Sequence, residues 1–321
     1  MEPLWDYDAS IRAFSAPAAD GEFLTDPGPY SHPVLCAELA QLACSHDRAF
    51  VERTLARAGF GDHEWFHHEG SDALLARGPE VAVLAFRGTE PPSLRRLIDG
   101  TGLHALFREG RSWRSRIGDI FHGGAPYLRT LLDQFAFETR DLATDLNAFP
   151  RPWAKGGQVH RGFAEALSGI WTHVAPTVMR VETPVLYTGC SLGAALATLA
   201  ASLHPPAALH AFGSPMLGDH TFAATLDGVA VHRYVNCCDI ACRLPPRLYT
   251  PVGTLHYIDR FGRIGPAEET DAERNEARLA HLRRYIGQWD KVWIRDISDH
   301  APENYRRAVL RAARNPPQSA L

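Results

Sequence analysis

Val185-Leu-Tyr-Thr-Gly-Cys-Ser-Leu-Gly-Ala-Ala-Leu-Ala-Thr-Leu-Ala200 reads as an apolar strand, a tight turn and a helix of small residues, with one serine at the apex. Its centre, Gly189-Cys190-Ser191-Leu192-Gly193, has the G-x-S-x-G spacing of a nucleophile elbow. In such a turn the serine is forced into a strained backbone conformation that lifts its hydroxyl above the sheet edge. Glycine is needed on either side because a side chain there would collide where strand and helix close up. The helix that follows aims its unpaired N–H groups at any anion forming beside Ser191. Residues 185–203 carry no charge, so a membrane span is the competing reading. Two glycines and a serine in mid-stretch, the alanine content and the His204-Pro205-Pro206 stop argue against it.

Working outward, Val81-Ala-Val-Leu-Ala-Phe86 is a continuous apolar run bounded by Gly78-Pro79 and Arg87-Gly88, the pattern of a strand buried on both faces. Further apolar strands are expected at 185–187, 209–212 and 231–235, separated by helical segments at 162–181, 194–203 and 220–226. That alternation predicts an α/β fold with a mostly parallel central sheet flanked by helices. Helical spacing also runs from Pro33 to Ala58, a hairpin is expected at 253–264, and amphipathic helices at 268–289 and 304–313. Residues 1–30, rich in Pro, Gly, Ala and Asp, read as an irregular arm ahead of a single catalytic domain at 31–321. Within that domain, 91–140 is an insertion-like block. Tyr127, Leu128, Leu131, Leu132 and Phe135 form one helical face in it, punctuated by glycines. Two readings stand: a hinged lid over an apolar site, or a helical subdomain packed on the core.

The 321 residues are enough for one large domain, and 45% hydrophobic with 22% charged residues is ordinary for a globular protein. A net charge of -4 gives no footprint for nucleic acid. Met1-Glu-Pro-Leu-Trp-Asp-Tyr-Asp8 has neither a basic nor an apolar leader segment, so a cytoplasmic location is expected, with leaderless export open. The six cysteines are expected as buried, reduced thiols. Cys237, Cys238 and Cys242 are close in sequence, but no second ligand cluster lies near them at zinc spacing, so neither metal nor cofactor is expected.

A serine hydroxyl needs a positioned base, and after an elbow the partners follow in the order acid, then histidine. Val231-His-Arg-Tyr-Val-Asn-Cys-Cys-Asp239 is a strand ending in a turn that carries an acid. Ile297-Ser-Asp-His-Ala-Pro302 places His300 on a loop just before a helix, which suits a base reaching over the sheet edge. His256, in the expected hairpin, is the alternative base; His281, inside a charged helix, is expected at the surface. The oxyanion needs N–H donors. Leu192, directly after the serine, supplies one, and Thr89, in the loop after the strand at 81–86, supplies the second.

Phe86-Arg-Gly-Thr89, Asp141-Leu-Ala-Thr-Asp-Leu146, Val159-His-Arg-Gly-Phe163, Thr188-Gly-Cys-Ser-Leu-Gly193, Phe212-Gly-Ser-Pro215 and Arg243-Leu-Pro-Pro246 occur in that order. The series resembles the class 3 lipases, the fungal-lipase-like branch of the α/β hydrolases, over roughly residues 33–312, with 91–140 matching poorly. The resemblance implies an α/β-hydrolase fold, hydrolysis of acylglycerols or related lipid esters, no cofactor and a helical lid that could touch lipid interfaces. It names Ser191, Asp239 and His300 as a catalytic triad, Thr89 and Leu192 as the oxyanion hole, and Asp145 as a structural acid near the site. Cys190 stands where the family usually has His, and its side chain is expected to point into the fold. Phospholipase A1 or acyl transfer on the same scaffold is the nearest alternative. A binding or scaffold protein that kept the fold and lost catalysis is the alternative from another class.

Overall fold

The computed structural model describes residues 5, 7–14, 31–45, 47–87, 149–245, 249–286, 288 and 291–315. The chain divides into two units, Met1–Thr89 with Phe149–Leu321, and Glu90–Ala148. The expected insertion at 91–140, Thr89 and Asp145 lie outside the described residues.

An eight-stranded sheet organises the first unit. Its strands are β1 (Asp62–His68), β2 (Ser71–Arg77), β3 (Ala82–Arg87), β6 (Val185–Cys190), β7 (Ala208–Phe212), β8 (Val231–Asn236), β9 (Thr254–Ile258) and β10 (Ile264–Gly265), in that spatial order. A separate ribbon pairs β4 (Pro150–Pro152) with β5 (Gln158–His160). The five central strands β3, β6, β7, β8 and β9 pair in parallel, while both edges are antiparallel. The centre is parallel because it is covered on both faces. Side chains of β6 alternate, so Thr188 meets the Cys36 carbonyl of helix α1 (His32–Ala43) on one face. Tyr187, on the other face, reaches His204 at the end of α4 (Leu192–Leu203). All of β6 and β7 is buried, which is why both read as mostly apolar runs, with Thr188 and His210 the buried polar exceptions.

The other described helices are α2 (Arg48–Arg57), α3 (Arg161–Val178), α5 (His220–Ala224), α6 (Asp271–Tyr285), α7 (Arg295–Ser298) and α8 (Pro302–Arg314). The expected single helix over 33–58 is two: the chain breaks after Ala43, and the Asp47 side chain accepts from Phe50 N to start α2. The hairpin at 253–264 forms as β9 and β10, its turn closed by Asp259 N donating to Arg263 O at 2.9 Å. Helix α8 is anchored to α1 by Arg306–Glu38 at 3.0 Å and Gln41–Glu303 at 2.9 Å, all four side chains buried. The described part of the N-terminal arm ends in a short 3-10 helix, Ile11–Phe14, not in irregular chain throughout, and it is bound down. Asp8 N donates to Asn304 Oδ1 at 2.8 Å, and Trp5 and Tyr7 are buried. His281 is a correction. It is wholly buried, its Nε2 2.8 Å from Val292 O, with Tyr7 packed edge-on against the ring.

Candidate active site

Strand β6 ends at Cys190, and the chain turns at once into α4 with Ser191 at φ 57°, ψ -128°. Few non-glycine residues adopt that conformation, and it stores strain of about 1–3 kcal/mol. The turn is fixed on both sides. Ser191 N donates to Phe212 O of β7 at 2.9 Å. A Cβ on Gly189 would sit 2.4 Å from the Gly193 carbonyl carbon, so only glycine lets strand and helix approach this closely. Cys190 points inward and is 2% exposed, and burial pushes its thiol well up, so it is chemically inert.

The other two parts arrive from distant loops. Asp239 follows β8 on a tight turn, and His300 lies between α7 and α8. His300 Nε2 is 2.8 Å from Ser191 Oγ, and its Nδ1 is 3.0 and 2.9 Å from Asp239 Oδ1 and Oδ2. Burial alone would lower the His300 pKa, but the charge and hydrogen bond of Asp239 more than reverse that, and the net shift is upward. Ser191, Asp239 and His300 are thus brought together. His256 is elsewhere, its Nε2 2.9 Å from His232 Nδ1 and its ring stacked on Tyr234. Leu192 opens α4, so its N–H belongs to the first turn, whose donors have no acceptor within the helix.

Asp239 is fully buried, and its oxygens are saturated by further donors. Ala241 N donates to Oδ1 at 2.8 Å and Tyr305 OH to Oδ2 at 2.5 Å, with the Cys242 thiol at 3.5 Å. The same Tyr305 hydroxyl accepts from Asn236 N at 3.0 Å. Gly213 (φ +61°) passes the triad so closely that a Cβ would lie 3.1 Å from Asp239 Oδ2 and 3.3 Å from His300 Cε1. Sequence reasoning did not single out Tyr305 or Gly213, and it named Cys242 only as a buried thiol. Gly213 belongs to the quoted Phe212-Gly-Ser-Pro215 motif, which was its only signal. His160 of Val159-His-Arg-Gly-Phe163 caps α3 by accepting from Phe163 N and stacks on the Phe163 ring.

Residues 124–249 match the model of the family described as lipase (class 3). Over that stretch the chain is similar to the class 3 lipases. That family is one of lipases, which are carboxylic ester hydrolases, and the mostly parallel sheet flanked by helices is that of an α/β-hydrolase fold. The chain is similar to the solved structure of lipase II from Rhizopus niveus, at 18% identity over 76% of this chain and 86% of that one, with a TM-score of 0.47. It is similar also to the lipase from Rhizopus microsporus var. chinensis, at 17% identity, 94% and 95% coverage and a TM-score of 0.48. The Rhizomucor miehei triacylglyceride lipase gives 18%, 84% and 89%, with a TM-score of 0.47. No curated protein sequence matches this chain.

Proposed function

We propose that this protein is a serine carboxylester hydrolase of the lipase type, working through an acyl-enzyme on Ser191. One observation carries the proposal: the unbroken hydrogen-bonded chain from Ser191 Oγ through His300 to a buried Asp239. In that reading Ser191 Oγ attacks the ester carbonyl while His300 Nε2 takes its proton. Asp239 holds the ring with Nδ1–H toward itself, so that Nε2 is free to accept, and stabilises the imidazolium that results. The oxyanion forms beside the N-terminus of α4, where Leu192 N–H is one donor, with Thr89 proposed as the second. His300 then returns the proton to the departing alcohol, and a water repeats the sequence to release the acid.

A lipid ester substrate is supported by the family match. Acylglycerol as the preferred lipid, and lipid-surface contact through 91–140, are part of the proposal. The deciding experiment measures hydrolysis of p-nitrophenyl esters from acetyl to palmitoyl, below and above substrate aggregation, with Ser191→Ala beside the wild type. The expected result is activity that rises with chain length, increases on aggregation and disappears in the variant. Activity confined to short soluble esters would refute the lipase reading, and turnover retained in Ser191→Ala would refute the nucleophile. His300→Ala should be inactive and His256→Ala active; the reverse would overturn the base assignment. Ester products with an added alcohol would instead identify an acyltransferase, and selective release from phosphatidylcholine a phospholipase.

A further inference from the structure

In the turn that carries Asp239, two adjacent thiols lie close to the carboxylate of Asp299, the residue before His300, with a second carboxylate, Glu269, against one of the thiols. Neighbouring side chains on extended backbone point to opposite sides. At Cys237 the backbone turns to φ 28°, and the Cys237 and Cys238 sulfurs converge to 3.5 Å. A carboxylate oxygen of Asp299 lies within 4.8 Å of both sulfurs. Glu269 Oε2 lies 3.2 Å from Cys237 Sγ. Cys237, Cys238 and Asp299 are completely buried.

We propose that Cys237, Cys238, Asp299 and Glu269 form a site for a thiophilic divalent cation of the zinc type, bound in exchange for the two thiol protons. Two thiolates and two carboxylate oxygens make a four-coordinate donor set suited to zinc. Sulfurs at about 2.3 Å from a tetrahedral ion are roughly 3.8 Å apart, so the thiols need to open by only a few tenths of an ångström. Asp299 Oδ2 is occupied by Cys238 N at 2.8 Å and Arg295 Nε at 3.1 Å. Its Oδ1 accepts no hydrogen bond of good geometry; the Tyr7 phenol is its near neighbour, and burial, then the Asp299 charge, raise that phenol's pKa. An unpartnered oxygen on a fully buried carboxylate is costly, and a cation would use it. Glu269 Oε2 also receives Arg260 N at 3.1 Å and Tyr257 OH at 3.4 Å, and its carboxylate would turn from these to join the other three ligands. Exchanging a divalent ion for two protons leaves the net charge unchanged, so the buried Arg295–Asp299 pair keeps its balance.

The four ligands come from the turn after β8, the segment before α6 and the residue after α7, too far apart in sequence to form a zinc motif. Their neighbours give the site its consequence. Cys238 is followed by Asp239 and Asp299 by His300, so the ion would staple together the loops bearing acid and base. That consequence rests on the triad reading; the binding does not.

The test is to produce the protein in media supplemented with zinc or with cobalt, purify it without chelator, and measure metal content and the absorption spectrum. One ion per chain and sulfur-to-cobalt charge-transfer absorption are expected. Cys237→Ser and Cys238→Ser should each lose that absorption and bind cobalt at least tenfold more weakly, whereas Cys36→Ser, altering a buried thiol of α1, should not. Glu269→Gln should weaken binding and keep the sulfur signature. Ser191→Ala protein should carry the same metal, which separates this proposal from the catalytic one. Wild-type protein without stoichiometric metal or thiolate absorption would overturn it, as would absorption surviving in both cysteine variants. A Cys237–Cys238 disulfide by intact mass in metal-free protein would overturn it too.

Discussion

Asp239→Asn removes one charge and exchanges one oxygen for an NH2 group, and the surroundings determine what that does. The carboxylate oxygens are 3.0 and 2.9 Å from His300 Nδ1, so the charge centres of the ion pair formed in the reaction are about 4 Å apart. At an effective dielectric near 20 that pair is worth about 4 kcal/mol, or roughly three decades in rate. The amide also has a forced orientation. Ala241 N–H, a backbone donor that cannot turn away, points at Oδ1 from 2.8 Å, whereas the donor on Oδ2 is the Tyr305 hydroxyl, which can rotate to accept, so the NH2 group takes the place of Oδ2. There it faces His300 Nδ1 and donates to it, which drives the ring proton to Nε2. Nε2–H then points at Ser191 Oγ and cannot take its proton. Charge and tautomer together give an expected fall in kcat of about 10^4-fold with KM little changed. The assay is steady-state hydrolysis of a soluble p-nitrophenyl ester, with circular dichroism and a thermal melt to establish that the variant is folded. A folded Asp239→Asn protein within about tenfold of wild-type kcat would refute the assignment of Asp239 as the orienting acid.

Three further outcomes are expected. His300 must be neutral to act as base, and its pKa is raised in the fold, so kcat/KM should fall as pH drops through a value above the ordinary histidine range; an acid limb below that range would contradict the Asp239 interaction. Tyr305→Phe leaves Asn236 N–H without its acceptor, at about 1–3 kcal/mol, and removes a donor that spreads the Asp239 charge. Its melting temperature should fall and its acid limb move to higher pH, whereas a merely structural tyrosine would leave the limb in place. Ser191→Gly should be more stable than Ser191→Ala by about 1 kcal/mol in denaturant titration, because glycine relieves the φ 57° strain that alanine keeps; equal stabilities would show that the elbow is unstrained.

How far the sequence revealed this molecule follows from what each element is surrounded by. Strands β3, β6 and β7 are buried over almost their whole length, so their mostly apolar runs are readable one at a time. The edge strand β1, Asp-His-Glu-Trp-Phe-His-His, is largely exposed, its sequence is mostly polar, and only its pairing with β2 makes it a strand. The break between α1 and α2 was hidden because apolar spacing continues across it, while the cap on Asp47 that starts α2 is a tertiary fact. His281 was misread because α6 is charged over most of its surface. One face of it nevertheless lies against Tyr7, from the arm expected to be irregular.

The site divides in the same way. Ser191, Asp239 and His300 could be named because each stands at the end of a legible element and their order along the chain is constrained. The groups around Asp239 could not, because they answer to a requirement that exists only after folding. A fully buried carboxylate must have its lone pairs filled, and its donors come from wherever the fold brings an N–H, O–H or S–H within reach. Here they are the Ala241 amide, the Tyr305 phenol and the Cys242 thiol, one of them 66 positions away. The same requirement accounts for Gly213, which leaves no Cβ between the acid and the base it serves. These neighbours answer to the acid and not to the substrate. Their replacement should therefore shift stability and the acid limb of the pH profile while leaving the order of preference among ester chain lengths unchanged.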